Sequence, residues 1–192
     1  MKLILASGSP RRAELLRNAG YSFEVAAPDV DETQRDGERP LEYVRRLAIE
    51  KSAAVANTAK AAGAIVLAAD TTVVLDETIL GKPHDDDDAR EMLRRLSGRW
   101  HEVMTGVSVR DGAREAGAVA ITRVEFVPMS SQEVEWYVTS GETRDKAGAY
   151  AIQGLASRFI PRIEGSYSNV VGLPIALVRE LLKRFETRYS EH

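Results

Sequence analysis

The 192-residue chain contains no cysteine and only three histidines. Without cysteine it can form neither a disulfide framework nor a thiolate metal site, and it has no thiol nucleophile. Long hydrophobic runs are missing too. The apolar stretch near the N-terminus is too short for a signal peptide, and no later stretch approaches the length of a membrane span. We therefore expect a cytoplasmic protein with no membrane partner.

A surplus of basic residues is also absent. The chain has 26 lysines and arginines against 29 acidic residues, for a net charge of −3, whereas non-specific nucleic-acid binders carry a basic surplus that displaces counterions. We expect no nucleic-acid partner, and any cationic site must be local. The content of 44% hydrophobic and 29% charged residues excludes disorder and fibres. Because no repeat or linker is found, we expect residues 1–192 to form a single domain whose second lobe is interleaved with the first.

The N-terminal stretch reads as strand, tight loop and helix. An apolar run over residues 3–6 meets a Ser/Gly loop, Ser9 is placed to cap the helix, and Pro10 suits its first position. Arg11 and Arg12 then fall in the first turn, where the helix dipole repels cations. Two guanidinium groups there make sense if a phosphate binds to the loop and the helix N-terminus. The alternative is two solvated arginines on a surface helix.

A second helix is predicted from Pro40 to about Ala62, with an apolar stripe along one side that consists of Leu41, Val44, Leu47, Ala48, Val55 and Thr58. Lys51 falls on that stripe. A lysine in this position either extends past the apolar surface into water or points into a cleft towards an anion. Snorkelling into water is the commoner case, so the stripe alone leaves both possibilities open.

A run of apolar residues at 64–69 is typical of a strand covered on both faces, and we expect it to end at Asp70. In open α/β sheets ligands bind at the carboxyl ends of the strands, so Asp70 is a candidate functional residue. A hairpin over residues 73–80 is expected to bring Lys82 back near Asp70. The acidic run at 85–88 directly precedes a helix predicted over residues 89–96, where acids suit the helix dipole, and it is interpreted in that way rather than as a metal cluster.

The second half of the chain completes the secondary structure. Segments 100–109 and 118–127 are predicted to form an antiparallel pair, and a capping box at 130–133 opens a short helix. Glycines bound a small-residue stretch at 145–154, which permits close approach of the backbone to a ligand or a strand. A final amphipathic helix is predicted over 175–185.

The charged candidates suit a polyphosphate bound with one divalent cation. Carboxylates and phosphate oxygens hold Mg²⁺, while Arg and Lys neutralise charge that develops during transfer of a phosphoryl group. The cationic candidates are Arg11, Arg12, Lys51 and Lys82, and the acidic ones are Glu32, from an acidic loop, and Asp70.

Seven segments together resemble the Maf family of nucleoside triphosphate pyrophosphatases. They are LASGSPRR at 5–12, DE at 31–32, EK at 50–51, ADT at 69–71, GKP at 81–83, KAGAYAIQG at 146–154 and SYSNVVGLP at 166–174. The resemblance implies an α/β fold in which a mixed central sheet with flanking helices forms two lobes around a deep cleft, as in the inosine triphosphatase architecture. It also implies a homodimer, and hydrolysis of a nucleoside triphosphate to the monophosphate and pyrophosphate with a divalent cation, Mg²⁺ or Mn²⁺.

The resemblance also implies residue roles. Asp70 matches the family's proton acceptor, Glu32 its second acidic residue, and both would hold the metal. Ser7, Arg11, Arg12, Lys51 and Lys82 match the set that contacts phosphates, with Lys51 and Lys82 also catalytic. Arg12, Thr71 and Gln153 are the residue types of the subgroup that prefers dTTP and UTP. An amide such as Gln153 can both donate to and accept from a pyrimidine edge.

Other functions remain open from the sequence. A second subgroup of the family prefers 7-methyl-GTP, and modified pyrimidine nucleotides are further candidate substrates. The family is also linked to arrest of septum formation, so a non-catalytic regulator that binds a nucleotide is the alternative from a different class.

Overall fold

The computed structural model describes residues 2–58, 61–112 and 114–186. The strands are β1 (Leu3–Ala6), β2 (Glu24–Val25), β3 (Ile65–Leu75), β4 (Thr78–Leu80), β5 (Trp100–Asp111), β6 (Arg114–Glu125) and β7 (Arg162–Glu164). The helices are α1 (Pro10–Asn18), α2 (Pro40–Ala56), α3 (Asp86–Leu96), α4 (Ser131–Thr139), α5 (Tyr167–Val171) and α6 (Ile175–Glu186), with short 3-10 turns at Ala147–Ala149 and Leu155–Phe159.

All seven strands belong to one sheet. The order is β2-β1-β3-β5-β6-β7, and β4 pairs with β3 beside this path. Strand β1 runs parallel to both β2 and β3, whereas the β3–β4 and β6–β7 pairs are antiparallel. The sheet is therefore mixed, and the predicted α/β class with a mixed central sheet and flanking helices is confirmed.

Strand β3 is longer than its apolar run predicts. The apolar run predicts an end at Asp70, but the strand continues to Leu75, so Asp70 lies within the strand. The last residue of β1 that pairs with it is Ala6, opposite Ala68. Asp70 therefore lies just beyond the carboxyl end of β1 rather than at the end of its own strand. The charge is tolerated inside a strand because it has a cationic partner, described below.

Helix α2 is shorter than its apolar pattern predicts. It ends at Ala56, and the expected continuation to Ala62 includes residues 59–60, which lie outside the described part of the chain. The side chain of Thr58 donates to the carbonyl of Val55 at 2.7 Å, a local bond that competes with further helix. Leu41, placed on the apolar stripe by the sequence, is 42% exposed.

Of the other helices, α4 begins where predicted, whereas α3 begins earlier than predicted and α5 is additional. The acidic run belongs to helix α3 itself, because Asp85 caps it by accepting from the Asp88 amide at 2.8 Å. The capping box at Ser130 opens α4 as predicted. Helix α5 was not predicted: its five residues, Tyr167–Val171, are too few for a periodic signal.

Contacts divide the chain into two units, each built from separated segments. The first comprises residues 1–70, 105–120 and 172–192, and the second residues 71–104 and 121–171. In the first unit, Leu3 and Leu5 of β1 belong to one hydrophobic cluster, while Ile4 and Ala6 belong to another. Side chains alternate along a strand, so both faces of β1 are covered. Within the described ranges, no helix is long and apolar enough to cross a membrane.

Candidate active site

Three charged side chains meet in the first unit. Lys51 Nζ donates to Asp70 Oδ1 at 2.6 Å and lies 2.7 Å from Glu32 Oε1. The side chains of Lys51 and Asp70 are only 7% and 9% exposed, whereas that of Glu32 is 52% exposed. A buried ammonium therefore joins a buried carboxylate to one that opens to solvent.

The sequence pattern explains why Lys51 reaches this place. It lies on the buried side of α2 with Val44, Leu47 and Val55. Of the two possibilities left open for this lysine, snorkelling into water is wrong, because the ammonium is buried and paired with two carboxylates. The lysine on the apolar stripe therefore indicates a buried anionic partner.

Burial and charge act in opposite directions on Asp70. Burial raises the pKa of this carboxyl, and the nearby Lys51 and Arg12 lower it, with burial the stronger influence. The raised pKa makes the carboxylate a stronger base, while the bonded ammonium favours its ionised form. A group of this kind is suited to accept a proton from water.

The loop that carries Glu32 is fastened to α2. Tyr43 donates its hydroxyl to the Glu32 carbonyl at 3.0 Å, and Arg46 donates to the Thr33 carbonyl at 3.1 Å. Burial and the neighbouring carboxylates raise the pKa of Tyr43 to about 12, so it remains a donor at neutral pH. Arg46 also binds both oxygens of Glu38, at 2.5 and 2.7 Å. Sequence analysis missed Tyr43, because an aromatic side chain on an amphipathic helix usually indicates packing.

The N-terminal loop places Ser7 and Arg12 in the same unit. Ser7 is buried, and its hydroxyl accepts from the Ser9 amide at 3.1 Å and from Arg12 Nη1 at 3.4 Å. The predicted cap by the Ser9 side chain is wrong, because that side chain makes no capping bond. Arg12 Nε donates to the Gly172 carbonyl at 2.7 Å, a contact that no local pattern could indicate.

Arg12 is not the solvated arginine of the alternative interpretation. Burial lowers its pKa, the Asp70 and Glu32 charges act in the opposite direction, and the like charge of Arg11 adds to the lowering. Arg12 is therefore within electrostatic range of both carboxylates, and its guanidinium is held at two points. Arg11 is half-buried on the same turn of α1.

Three predicted site residues belong to the second unit. Thr71 directly follows Asp70 in β3 and is half-buried. Lys82 is exposed, two residues after β4, which runs back along β3 with Leu80 opposite Val73. Gln153 is exposed in the turn before the 3-10 helix at 155–159. The grouping of these three residues with Asp70, including the expected approach of Lys82, remains a prediction.

Two bonds join the loops of the second unit. The Gly148 amide donates to the Gly81 carbonyl at 3.0 Å, which connects the GKP segment to the glycine-bounded stretch. The Glu142 carboxylate accepts from the amides of Leu155 and Ala156 at 3.0 and 3.4 Å. These bonds hold the backbone on both sides of Gln153.

The two carboxylates fit a divalent cation that also binds substrate. An oxygen of Glu32 and one of Asp70 converge on the same Lys51 nitrogen, so both lie within reach of a single ion. Throughout residues 2–58, 61–112 and 114–186, no three His, Asp or Glu side chains gather as a metal cage. Mg²⁺ is commonly held by one or two carboxylates, with waters and substrate phosphates completing its shell, which matches this donor set.

Proteins of known name are similar to this chain over nearly its whole length. A Vibrio cholerae protein named "dTTP/UTP pyrophosphatase" is 52% identical over 184 residues, which cover 96% of this chain and 98% of that protein. A Hahella chejuensis protein of the same name is 50% identical over 185 residues, covering 96% and 92%. The fold is similar to that of the Staphylococcus aureus Ham1 protein, with a TM-score of 0.53 at 16% identity over 99% of this chain and 100% of that one. The sequence profile of the family described as "Maf-like protein" matches residues 2–185. The chain therefore belongs to the Maf family.

Proposed function

We propose that this chain is a nucleoside triphosphate pyrophosphatase that hydrolyses dTTP and UTP to the monophosphate and pyrophosphate. The relatives that are about half identical over nearly its whole length carry that name. The observation that carries the proposal is the buried Asp70 carboxylate bonded to Lys51, beside the Ser7 and Arg12 loop. This is the combination of base and cations that hydrolysis of a phosphoanhydride requires.

The substrate phosphates bind at the start of α1. The helix dipole, the Ser/Gly loop and the Arg12 guanidinium together favour an anion there. Arg12 is already oriented by Ser7 and by the Gly172 carbonyl, so little side-chain entropy is lost on binding. Lys51 and Lys82 neutralise charge on the phosphates as the leaving group departs.

Asp70 activates the attacking water. Its carboxylate accepts a proton as the water oxygen forms a bond to the α-phosphorus, and the bond from that phosphorus to the bridging oxygen breaks. The electron pair of the broken bond leaves with pyrophosphate. The raised pKa of Asp70 favours acceptance of the proton, and Lys51 stabilises the charged starting state.

Glu32 and Asp70 would hold the divalent cation, Mg²⁺ or Mn²⁺. When bound, the ion neutralises phosphate charge and orients the polyphosphate. Because the Glu32 side chain is half exposed, it can turn from Lys51 towards an arriving ion without leaving a buried charge unpaired.

Pyrimidine selectivity is assigned to Gln153, Thr71 and Arg12. A side-chain amide both donates and accepts, so Gln153 is able to pair with a pyrimidine carbonyl and ring N–H. A site built on such pairing rejects bases that leave its polar groups unpaired. Modified pyrimidine nucleotides satisfy the same groups and belong in the substrate panel.

The test is a pyrophosphate-release assay on dTTP, UTP, modified pyrimidine triphosphates and 7-methyl-GTP, each with Mg²⁺ or Mn²⁺. We expect dTTP and UTP to have the highest kcat/KM and the products to be the monophosphate and pyrophosphate. A higher kcat/KM for 7-methyl-GTP would overturn the pyrimidine assignment. Orthophosphate with the diphosphate would overturn the reaction type, and nucleotide binding without any release would favour the non-catalytic regulator. Light scattering on the same samples tests the expected homodimer.

A further inference from the structure

Two buried serine hydroxyls join helix α2 to strand β5. Ser52 directly follows Lys51 in α2, and its Oγ lies 2.8 Å from Ser108 Oγ in β5. Both serines are fully buried. Ser52 Oγ also lies 2.9 Å from the Ile49 carbonyl, within the helix. The residue beside the catalytic lysine is thus tied to the sheet by a hydrogen bond between hydroxyl groups.

This pair forms part of a longer chain of hydrogen bonds with a defined direction. Ser108 donates to Glu115 Oε1 at 2.8 Å, and a carboxylate can only accept. Ser108 can therefore only accept from Ser52, whose single hydroxyl proton is shared between Ser108 Oγ and the Ile49 carbonyl. The Ser52 oxygen in turn accepts from Arg110 Nε at 3.4 Å. A guanidinium at one end and a carboxylate at the other polarise both hydroxyls in the same sense, which strengthens each bond.

Glycines let the partners approach closely. A Cβ added at Gly106 of β5 would lie 2.2 Å from the Val44 carbonyl oxygen, so the backbone of α2 rests directly on the strand. A Cβ at Gly117 would lie 2.9 Å from Glu115 Oε1, so this glycine leaves space for the carboxylate that ends the chain of bonds. Backbone contact at Val44 and hydroxyl contact at Ser52 hold α2 at two places along its length.

We propose that Ser52, Ser108 and Glu115 are positioning residues that hold Lys51 for catalysis; this rests on the pyrophosphatase function proposed above. Lys51 must keep its nitrogen 2.6 Å from one carboxylate and 2.7 Å from another, and both distances depend on where α2 sits. Misplacement of a reacting group by 1 Å can cost about 100-fold in rate. The three residues act through Lys51 and touch no substrate.

The test compares Ser108→Ala with Ser97→Ala. Each removes one serine hydroxyl, and that of Ser97 accepts from the Met129 amide at 2.7 Å within the second unit. With both variants fully folded at the assay temperature, we expect Ser108→Ala to lower kcat for UTP about tenfold with a smaller change in KM, and Ser97→Ala to leave kcat unchanged. Ser108→Thr, which restores a hydroxyl, should recover most of the rate.

Equal kcat values for the parent, Ser108→Ala and Ser97→Ala would overturn the proposal. If Ser108→Ala does not fold, Glu115→Gln takes its place, because Glu115 is exposed and the change removes only the charge that polarises the chain. Glu115→Gln should also lower kcat, and an unchanged kcat would contradict the proposed positioning of Lys51.

Amide hydrogen exchange separates failure of this proposal from failure of the proposed function. If the parent protein releases no pyrophosphate, the proposed function is wrong, and the attachment of α2 is judged by exchange alone. Faster exchange of α2 amides near Lys51 in Ser108→Ala, but not in Ser97→Ala, supports the attachment. Equal exchange in the two variants contradicts it.

Discussion

Replacing Asp70 with asparagine should separate the catalytic role proposed for this side chain from its structural one. The amide has nearly the shape of the carboxylate, and its oxygen can still accept from Lys51. Lys51 keeps its ion pair with Glu32 at 2.7 Å. The weaker hydrogen bond costs about 1 kcal/mol, and the buried Lys51 ammonium is not left uncompensated because Glu32 remains its anionic partner. We expect the free energy of unfolding to change by about 1 kcal/mol or less.

The rate should change far more than the stability. Loss of a general base lowers a rate by about 10² to 10⁴, which corresponds to roughly 3 to 5 kcal/mol of transition-state stabilisation. Pyrophosphate release at saturating UTP measures this loss, and urea unfolding of the same preparation measures stability. Binding of UTP should persist, because Ser7 and Arg12 are unchanged.

Lys51→Met is the matched comparison, because it removes the other partner of the same pair. It leaves the Asp70 carboxylate, whose side chain is only 9% exposed, without its bonded ammonium. Removal of one partner from a buried ion pair costs about 3 to 5 kcal/mol. The cost should shrink in acid, where protonation of Asp70 removes the unpaired charge. Lys51→Met should therefore be clearly less stable than Asp70→Asn at neutral pH.

Two results would refute this reasoning. If Asp70→Asn hydrolyses UTP within a few-fold of the parent rate, Asp70 is structural, and Glu32 becomes the next candidate for the base. If Lys51→Met is as stable as Asp70→Asn, the pair does not carry the buried charge described above.

Three further predictions concern stability. Thr143 is buried, and its hydroxyl has no hydrogen-bond partner within the described residues, so Thr143→Val should raise the free energy of unfolding by about 1 kcal/mol in urea titrations. Burial lowers the pKa of His101 to about 4, so the free energy of unfolding of the parent should fall by up to about 3 kcal/mol as the pH falls from 6.5 to 4. The free energy of unfolding of His101→Gln should depend less on pH over this range, and equal pH dependence of the two proteins would contradict the assignment. Arg46 lowers the pKa of Glu38 to about 2, so Glu38→Gln should lower the free energy of unfolding by about 2 kcal/mol above pH 4.5. This difference in stability from the parent should vanish as the pH falls through 2.

Periodic features of the fold could be predicted from the sequence. The proline at position 40 and the spacing of Val44, Leu47 and Val55 identify α2 without tertiary information. The continuous apolar run identifies β3, and the capping box at Ser130 places the start of α4. The link between Lys51 and Asp70 also had a local signal, because each charge interrupts an apolar pattern.

Features that depend on partners distant in sequence could not be predicted. The extension of β3 through Asp70 relies on an ammonium from α2 that neutralises the charge. The orientation of Arg12 relies on the carbonyl of Gly172, and the loop of Glu32 relies on Tyr43. The end of α2 at Ala56 is not marked by a glycine or proline in the residues that directly follow, so the local sequence gives no signal for it.

The bond between Arg12 and the Gly172 carbonyl has a consequence for synthesis on the ribosome. The two residues are 160 positions apart, and the first unit draws on chain segments both before and after the second. At about 5 to 20 residues per second, on the order of ten seconds or more pass between translation of the arginine and of its partner. During that time the later segments of the first unit are not yet available to pack around the nascent β1. Its apolar side chains therefore need protection from aggregation. Arg12 thus takes its final position only after Gly172 has been translated.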